Sequence, residues 1–364
     1  MPTPATPDTP ATPTTPAVRA TEVVLPAVGE PESLRLRTRD LPQPGPGQAV
    51  VRVEASGVSF AEQQMRRGKY YDQPPFPFVP GYDLVGVIEQ LGTPPQGQDP
   101  GHPADLGVGR RVAALTKTGG WADRVLLETA DLVPVPDGVE PAAAETVVVN
   151  GVTAWRMLHR TARVRPGATV VVLGAAGGVG TTLVQLAVHA GIKVIGTAAP
   201  RTHDRLRALG ATPVDYHADV PAAVRELAPD GVAAVFDHVG GPGIRDSWRM
   251  LAPGGTLVSY GSAATRDVPG NAALPVLKLV ARLLLWNALP NGRHAHFFNL
   301  WAGKSRHLDR YRAQLRDDLG QVFALLADGT LTAQIDRVFP LEQAAAALRH
   351  AESGGITGKV VLQP

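Results

Sequence analysis

The sequence predicts an α/β protein in two parts, a β-rich N-terminal domain followed by a doubly wound parallel sheet. Three observations predict it. Thr169 to Leu173 (TVVVL) is a continuous apolar run that leads straight into a glycine-rich turn and then a helical pattern. Short strand-like and helix-like segments alternate from there to Tyr260. Before Asn150 the chain instead shows short strands broken by Gly and Pro.

The first residues, MPTPATPDTPATPTTP, have no apolar core and no basic start. They are expected to form an extended or disordered Thr/Pro-rich tail over 1–20, with no secretory signal, and a cytoplasmic location follows as an expectation. The β-rich domain is expected over 21–148. Within it, Ala49 to Ala55 (AVVRVEA) alternates at period two, and Leu84 to Leu91 and Arg111 to Leu115 read the same way. Gly92 to Gly109 reads as a surface loop.

The parallel-sheet domain is expected over 149–293. After the first strand and its turn come a helix from Val179 to His189, a strand at Lys193 to Thr197, and further pairs through Val232 to Asp237 and Thr256 to Tyr260. Residues 294–364 carry two helical segments, Arg310 to Leu326 and Leu341 to His350, and a last strand, GKVVL, with no partner nearby in sequence. That strand is expected to return to the N-terminal domain.

Composition excludes several classes. The 364 residues are 44% hydrophobic and 19% charged, with a formal net charge of +2 and interspersed signs, so no electrostatic footprint for nucleic acid exists. Arg, Ala and Pro are favoured, as in GC-rich bacterial genomes. There is no cysteine, which rules out disulfides and thiolate metal sites. His294, His296 and His307 fit no helical metal pair, so no metal site is expected. The apolar run Leu274 to Leu289, interrupted by Pro275, Lys278 and Arg282, falls short of the ~20 residues that span a bilayer. A dimer interface or a lid over an apolar substrate is favoured for it over contact with a membrane surface. A homodimer is the expected assembly.

The turn Gly174-Ala175-Ala176-Gly177-Gly178-Val179-Gly180 carries the chemistry. Gly177 lets the backbone approach a pyrophosphate, Gly180 lets the helix pack on the strand, and the helix N-terminus offers free N–H groups to phosphates. Ala175 stands where the first Gly of the usual fingerprint would be. Strand, turn and helix in sequence make this a dinucleotide site. The second strand ends at Thr197, with no carboxylate to bind ribose hydroxyls, and Arg201 follows. That pattern favours a 2′-phosphate and hence NADPH, with His203 and Tyr216 as further contacts.

At these motifs the chain resembles the medium-chain dehydrogenase/reductase superfamily, in its zinc-free quinone oxidoreductase (zeta-crystallin-like) branch. The resemblance runs from Val23 to Pro364. Its carriers are Gly57-Val58-Ser59-Phe60-Ala61-Glu62, Arg66-Arg67-Gly68-Lys69-Tyr70, Pro80-Gly81-Tyr82-Asp83-Leu84-Val85-Gly86, Gly109-Arg110-Arg111-Val112, Gly151-Val152-Thr153-Ala154, the glycine-rich turn, and Gly358-Lys359-Val360-Val361-Leu362. It implies a GroES-like catalytic domain, a Rossmann domain, and an active site in the cleft between them. It also implies hydride transfer from NADPH to a quinone or an α,β-unsaturated carbonyl. Zinc-dependent members carry Cys near Ser59 and a four-Cys lobe, and this chain has neither.

The resemblance assigns residues as well. Ser59 would hold the developing oxyanion, although relatives usually have Asn there and Asp at Glu62. Tyr70 is the matching proton donor, with Tyr71 second. Thr153 would contact the nicotinamide amide, Tyr260 and Gly261 would face the cofactor from a strand end, and Lys359 would approach its phosphates. Phe297, Phe298 and Trp301 are expected to wall the cleft. A second reading is a cofactor-binding protein with little redox activity, in a regulatory, membrane-associated or non-redox biosynthetic role.

Overall fold

The computed structural model describes residues 17–93, 106–261, 263–265 and 273–364. Residues 1–16 of the expected tail, and most of the expected loop at Gly92 to Gly109, lie outside the described residues. The last residues assigned to the tail do not belong to one, because β1 (Val18–Val24) begins there and pairs antiparallel with β2 (Arg35–Leu41).

The N-terminal part continues with β3 (Gln48–Val58), α1 (Phe60–Arg66), β4 (Asp83–Leu91), β5 (Arg111–Leu115), β6 (Arg124–Glu128) and β7 (Val133–Pro134). A long helix, α2 (Pro141–Trp155), follows, started by Pro141, whose fixed φ suits a first helical turn. The expected boundary at 148/149 therefore falls inside a helix. Eleven of its residues, Ala144 through Ala154, are buried, because it packs against β3 and β4 on one side and the parallel-sheet domain on the other.

The second part runs β8 (Thr169–Val172), α3 (Gly178–His189), β9 (Lys193–Ala198), α4 (His203–Ala208), β10 (Ala211–Asp215), α5 (Val220–Leu227), β11 (Val232–Asp237), α6 (Ile244–Arg249), β12 (Leu251–Ser259), α7 (Ala273–Ala288) and β13 (His294–Phe297). Among the described residues these strands form one parallel sheet in the order β10-β9-β8-β11-β12-β13. Val170, Val171 and Val172 are fully buried, as a strand covered on both faces requires. The sheet extends past the expected limit at 293, because β13 is its edge strand. Strand order reverses between β8 and β11, and that switch point is where open α/β sheets bind ligands.

The chain ends with α8 (Leu308–Ala327), β14 (Ile335–Pro340), α9 (Ala344–Glu352) and β15 (Lys359–Gln363). β15 pairs antiparallel with β3, placing Val361 opposite Gly57 and Val360 opposite Val58. It thus closes onto the N-terminal sheet, whose order is β14-β15-β3-β4-β5-β7 with β6 also on β3. In α7, Leu279 and Leu283 are buried and Trp286 stacks on Trp248 at 4.7 Å, whereas Leu277, Leu284, Leu285 and Leu289 are exposed. No helix among the described residues is long and apolar enough to cross a membrane.

Candidate active site

The glycine-rich turn leaves β8 at the switch point. Thr197, at the end of β9, receives it: Gly174 N–H donates to Thr197 Oγ1 at 3.0 Å, and Ala175 N–H to the Thr197 carbonyl at 2.9 Å. Ala175 is fully buried. A Cβ on Gly180 would stand 2.3 Å from the Gly174 carbonyl oxygen and 2.8 Å from Ala175 Cα, so only glycine lets α3 begin this close to the strand. A Cβ on Gly178 would meet the Asn150 amide at 2.6 Å.

From β11 the chain turns through Asp237, whose carboxylate accepts from Val239 N–H and Gly240 N–H at 2.8 Å each and from Ser247 Oγ at 2.7 Å. That turn sets the His238 ring over Gly174, where a Cβ would lie 2.3 Å from His238 Cε1. Burial lowers the imidazole pKa against the opposing charge of Asp237, so the ring is held neutral. Its Nδ1 is buried with no hydrogen-bond partner.

The N-terminal domain faces this turn across a cavity of about 430 Å³. Ser59 enters it because β3 ends at Val58 and Ser59 caps α1, accepting from Ala61 N–H at 3.1 Å. Glu62 completes a capping box by accepting from Ser59 N–H at 2.9 Å, and its carboxylate also meets Ser59 Oγ. Thr153 and Asn150 reach the cavity from α2, and Tyr260, Gly261, Phe297 and Phe298 from the far wall.

Tyr70 also lines the cavity, and its hydroxyl lies 2.8 Å from that of Tyr82. Trp301 donates its indole N–H to Tyr82. Indole nitrogen is a donor only, so Tyr82 can pass its own hydrogen to Tyr70 and leave the Tyr70 O–H to point toward Tyr71 at the cavity rim. Burial, with Tyr82 and Tyr71 adding to it, pushes the Tyr70 phenol far above its ordinary range. Tyr71 is 40% exposed at the rim.

The remaining expected site residues distribute unevenly. Gly177, Gly178, Val179 and Gly180 line the cavity with Ser59 and Tyr70. Thr197 and Tyr216 instead line a separate groove of about 830 Å³ that passes the strand ends at Leu173 and Val239 and runs on between α5 and α6. His203 is bonded to the Ala198 carbonyl at 3.2 Å. Arg201 donates to the Gly354 carbonyl at 2.8 Å, outside both linings.

Lys359 requires a correction. It reaches the cavity wall, but it is 3% exposed and its ammonium bonds both oxygens of Asp83 at 3.2–3.3 Å and lies 3.3 Å from Glu145 Oε1. Burial alone would lower its pKa, but Asp83, Glu145 and Glu62 outweigh that and hold it charged. Its charge answers buried carboxylates. Gly57 makes room, since a Cβ there would lie 2.1 Å from Lys359 Cε.

Asn150, His238 and Tyr82 were not among the expected site residues. Asn150 interrupts the apolar run Val147-Val148-Val149, and a polar residue there is a signal of a buried polar role. His238 follows the fourth sheet strand at its C-terminal end, where the reversal of strand order could have marked it.

Residues 45–137 match the family model described as alcohol dehydrogenase GroES-like domain, and 209–362 the model described as zinc-binding dehydrogenase. The synaptic vesicle membrane protein VAT-1 homolog of Rattus norvegicus is 31% identical over 355 residues, covering 94% of this chain and 83% of its own. The quinone oxidoreductase of Thermus thermophilus, solved also as its complex with NADPH, is 32% identical with a TM-score of 0.72, over 94% of this chain and all of the other. That of Pseudomonas syringae pv. Tomato DC3000 is 29% identical with a TM-score of 0.80, over 95% and 100%. The chain belongs to the medium-chain dehydrogenase/reductase superfamily, in its quinone oxidoreductase branch. The superfamily is one of oxidoreductases, and the two sheets described above are its GroES-like and Rossmann domains. The second family model is named for zinc. This chain has no cysteine, and no group of three His, Asp or Glu among the described residues could hold a metal.

Proposed function

We propose that this chain is an NADPH-dependent reductase that transfers hydride to a quinone or an α,β-unsaturated carbonyl without zinc. The observation that carries the reading is the shared cavity: Ser59 and Tyr70 line one wall and the Gly177 to Gly180 turn another. Relatives solved with NADPH support the cofactor.

The residues fit a dinucleotide. The first backbone bond at the start of α3 is from Thr181 N–H to the Gly177 carbonyl, which leaves the preceding amides at a helix N-terminus for a pyrophosphate. A side chain on Gly177 would stand in that approach, and one on Gly178 would displace the Asn150 amide. The groove at Thr197 and Tyr216 would take the adenosine half, with Arg201 and His203 beside it for a 2′-phosphate. When bound, the dinucleotide supplies hydride. Thr153, Tyr260 and Gly261 would orient its ring end, and Lys359 would act through the buried carboxylates beneath.

Ser59 would donate to the substrate carbonyl, doing by hydrogen bonding what a Lewis acid does elsewhere. Tyr70, polarised by Tyr82 and Trp301, would deliver the proton. Phe297 and Phe298 would exclude water from one side. The reading includes a homodimer, which light scattering on the purified chain would check.

The test is consumption of NADPH with a panel of quinones and enones, beside direct binding of NADPH. Turnover lost in a Ser59→Ala, Tyr70→Phe double variant supports the assignment. Binding without consumption across the panel overturns it in favour of a cofactor-binding protein with little redox activity. Kinship with the VAT-1 homologs, whose name places them on synaptic vesicle membranes, and the exposed leucines of α7 favour that second reading.

A further inference from the structure

Ser59 has one hydroxyl hydrogen and can donate it in one direction only. Its Oγ accepts from Ala61 N–H at 3.1 Å and is in short contact with Glu62 Oε2, which also accepts from Ser59 N–H at 2.9 Å. A capping-box glutamate ordinarily keeps its second oxygen in water. Here Glu62 is 1% exposed, and Oε1 is buried with no hydrogen-bond partner. The charged and titratable groups facing it from other elements are Asp83 of β4, Lys359 of β15 and Tyr82 ahead of β4. Glu145 of α2 shares the same cluster. Lys359 bonds Asp83 and contacts Glu145, and one ammonium cannot neutralise three buried carboxylates.

We infer that Glu62 is a proton-holding positioning residue that acts through Ser59. Neutral Glu62 donates to Ser59 Oγ and turns the Ser59 O–H into the cavity. Ionised Glu62 takes that O–H for itself and leaves the cavity without the donor. The inference rests on the reductase reading above and names the group that controls its oxyanion donor. Burial pushes the Glu62 carboxyl up and Asp83 adds to it, against the Ser59 bond and Lys359, which favours the neutral form more than at an exposed glutamate.

The proton balance closes. Hydride addition at the β-carbon moves the electron pair of the C=C bond onto the carbonyl oxygen. The Ser59 O–H, held outward by neutral Glu62, donates a hydrogen bond to that oxygen without giving up its proton, and Tyr70 delivers a proton to the α-carbon. The electron pair returns from the oxygen as the carbonyl re-forms, which leaves the saturated carbonyl compound, an intact serine, a neutral Glu62 and a Tyr70 phenolate that regains its proton from water.

Glu62→Gln separates this role from capping, because Gln also serves at the third position of a capping box. Its amide oxygen would accept from Ser59 N–H and O–H at every pH, copying the ionised form. In the wild type, kcat is expected to fall as pH rises through the Glu62 titration. E62Q should keep the melting temperature and the NADPH affinity, lose at least about tenfold in kcat on the acid side, and show no such limb. Wild-type kcat with an unchanged limb in E62Q overturns the inference. The protonated-carboxyl stretch in wild-type minus E62Q infrared spectra gives a readout free of turnover. If the wild type reduces no member of the panel, the reductase reading fails on its own, and the infrared titration still decides this one: Glu62 ionised at neutral pH overturns it, and a neutral Glu62 supports it. Should E62Q not fold, Glu62→Asp assigns the infrared band instead: a protonated-carboxyl stretch at neutral pH that shifts between wild type and E62D supports the inference, and its absence overturns it.

Discussion

The backbone N–H of Gly358 donates to the carbonyl of Ala176 at 3.1 Å, tying the start of β15 to the glycine-rich turn. This bond joins the strand that closes the N-terminal sheet to the turn that leaves the parallel sheet, at the edge of the cleft. Gly358 has φ of 91°, and a Cβ there would stand 2.0 Å from the Gln334 carbonyl oxygen. Gly358→Ala is therefore expected to cost about 2–3 kcal/mol of stability through backbone strain and displacement. Because the turn moves with it, NADPH affinity should fall as well. Urea unfolding and a cofactor fluorescence titration measure the two effects, and a variant matching wild type in both would refute the coupling.

Tyr70→Phe removes a hydroxyl from the Trp301–Tyr82–Tyr70 chain. The loss of one buried hydrogen bond should cost about 1 kcal/mol. If Tyr70 delivers the proton, kcat should fall about a hundredfold or more with KM little changed. The phenol is pushed well above its ordinary range, so it stays protonated over any practical assay pH and contributes no limb of its own. A pH limb present in wild type and absent in Y70F would contradict this.

Glu352 joins α9 to α1 through Arg66, with Nε to Oε1 at 2.7 Å, and through Arg67 at 3.0 Å. Burial alone would raise its pKa, but the bonds and charges of Arg66 and Arg67 outweigh burial and hold it below the usual carboxylate range. A depressed carboxylate contributes stability that is present above its unfolded pKa and is lost as pH falls through its folded one. Glu352→Gln should thus cost about 1.5–3 kcal/mol at pH 7, the range for a hydrogen bond to a charged group. The penalty should fade as pH drops below about 4.3, the unperturbed Glu pKa. Urea midpoints of both proteins across that range test it, and a penalty independent of pH would point to packing instead.

Arg201 spends one of its donors on the Gly354 carbonyl and keeps others for an anion. Arg201→Ala is expected to raise the Kd for NADPH about tenfold, the equivalent of about 1.4 kcal/mol, and to leave the Kd for NADH unchanged. Equal losses for both cofactors would place the 2′-phosphate elsewhere.

Treatment with a zinc chelator should leave turnover of the purified chain unchanged, since no cysteine is available for the usual thiolate ligands. Loss of activity on chelation, restored by zinc, would contradict the zinc-free reading.

Much of the fold was legible because its signals are local. An unbroken apolar run such as Val170-Val171-Val172-Leu173 suits a strand covered on both faces. The Gly174 to Gly180 turn announces itself at Gly180, where the contacts that demand glycine lie within the same strand-turn-helix unit, while those of Gly174 and Gly178 come from His238 and Asn150. Domain limits were less legible. The 148/149 boundary fell within α2, because a helix buried between the N-terminal sheet and helices α3 and α8 is largely apolar on both sides and shows no change of pattern where one partner gives way to the other.

The site divides along the same line. By itself the sequence determined the two-part α/β architecture, the dinucleotide turn and the lack of thiolate ligands, and through its resemblance it offered Ser59 and Tyr70 as candidates. Only the tertiary structure decided what those side chains can do. It brought Tyr82 and Trp301 to Tyr70 and set His238 over Gly174. It also set Lys359 in a nest of buried carboxylates. The physical reason is that a group's acidity and its direction of donation depend on burial and on partners distant in the chain. Glu62 and Lys359 are nearly 300 positions apart, and the pairing of β15 with β3 is what lets one feel the charge of the other.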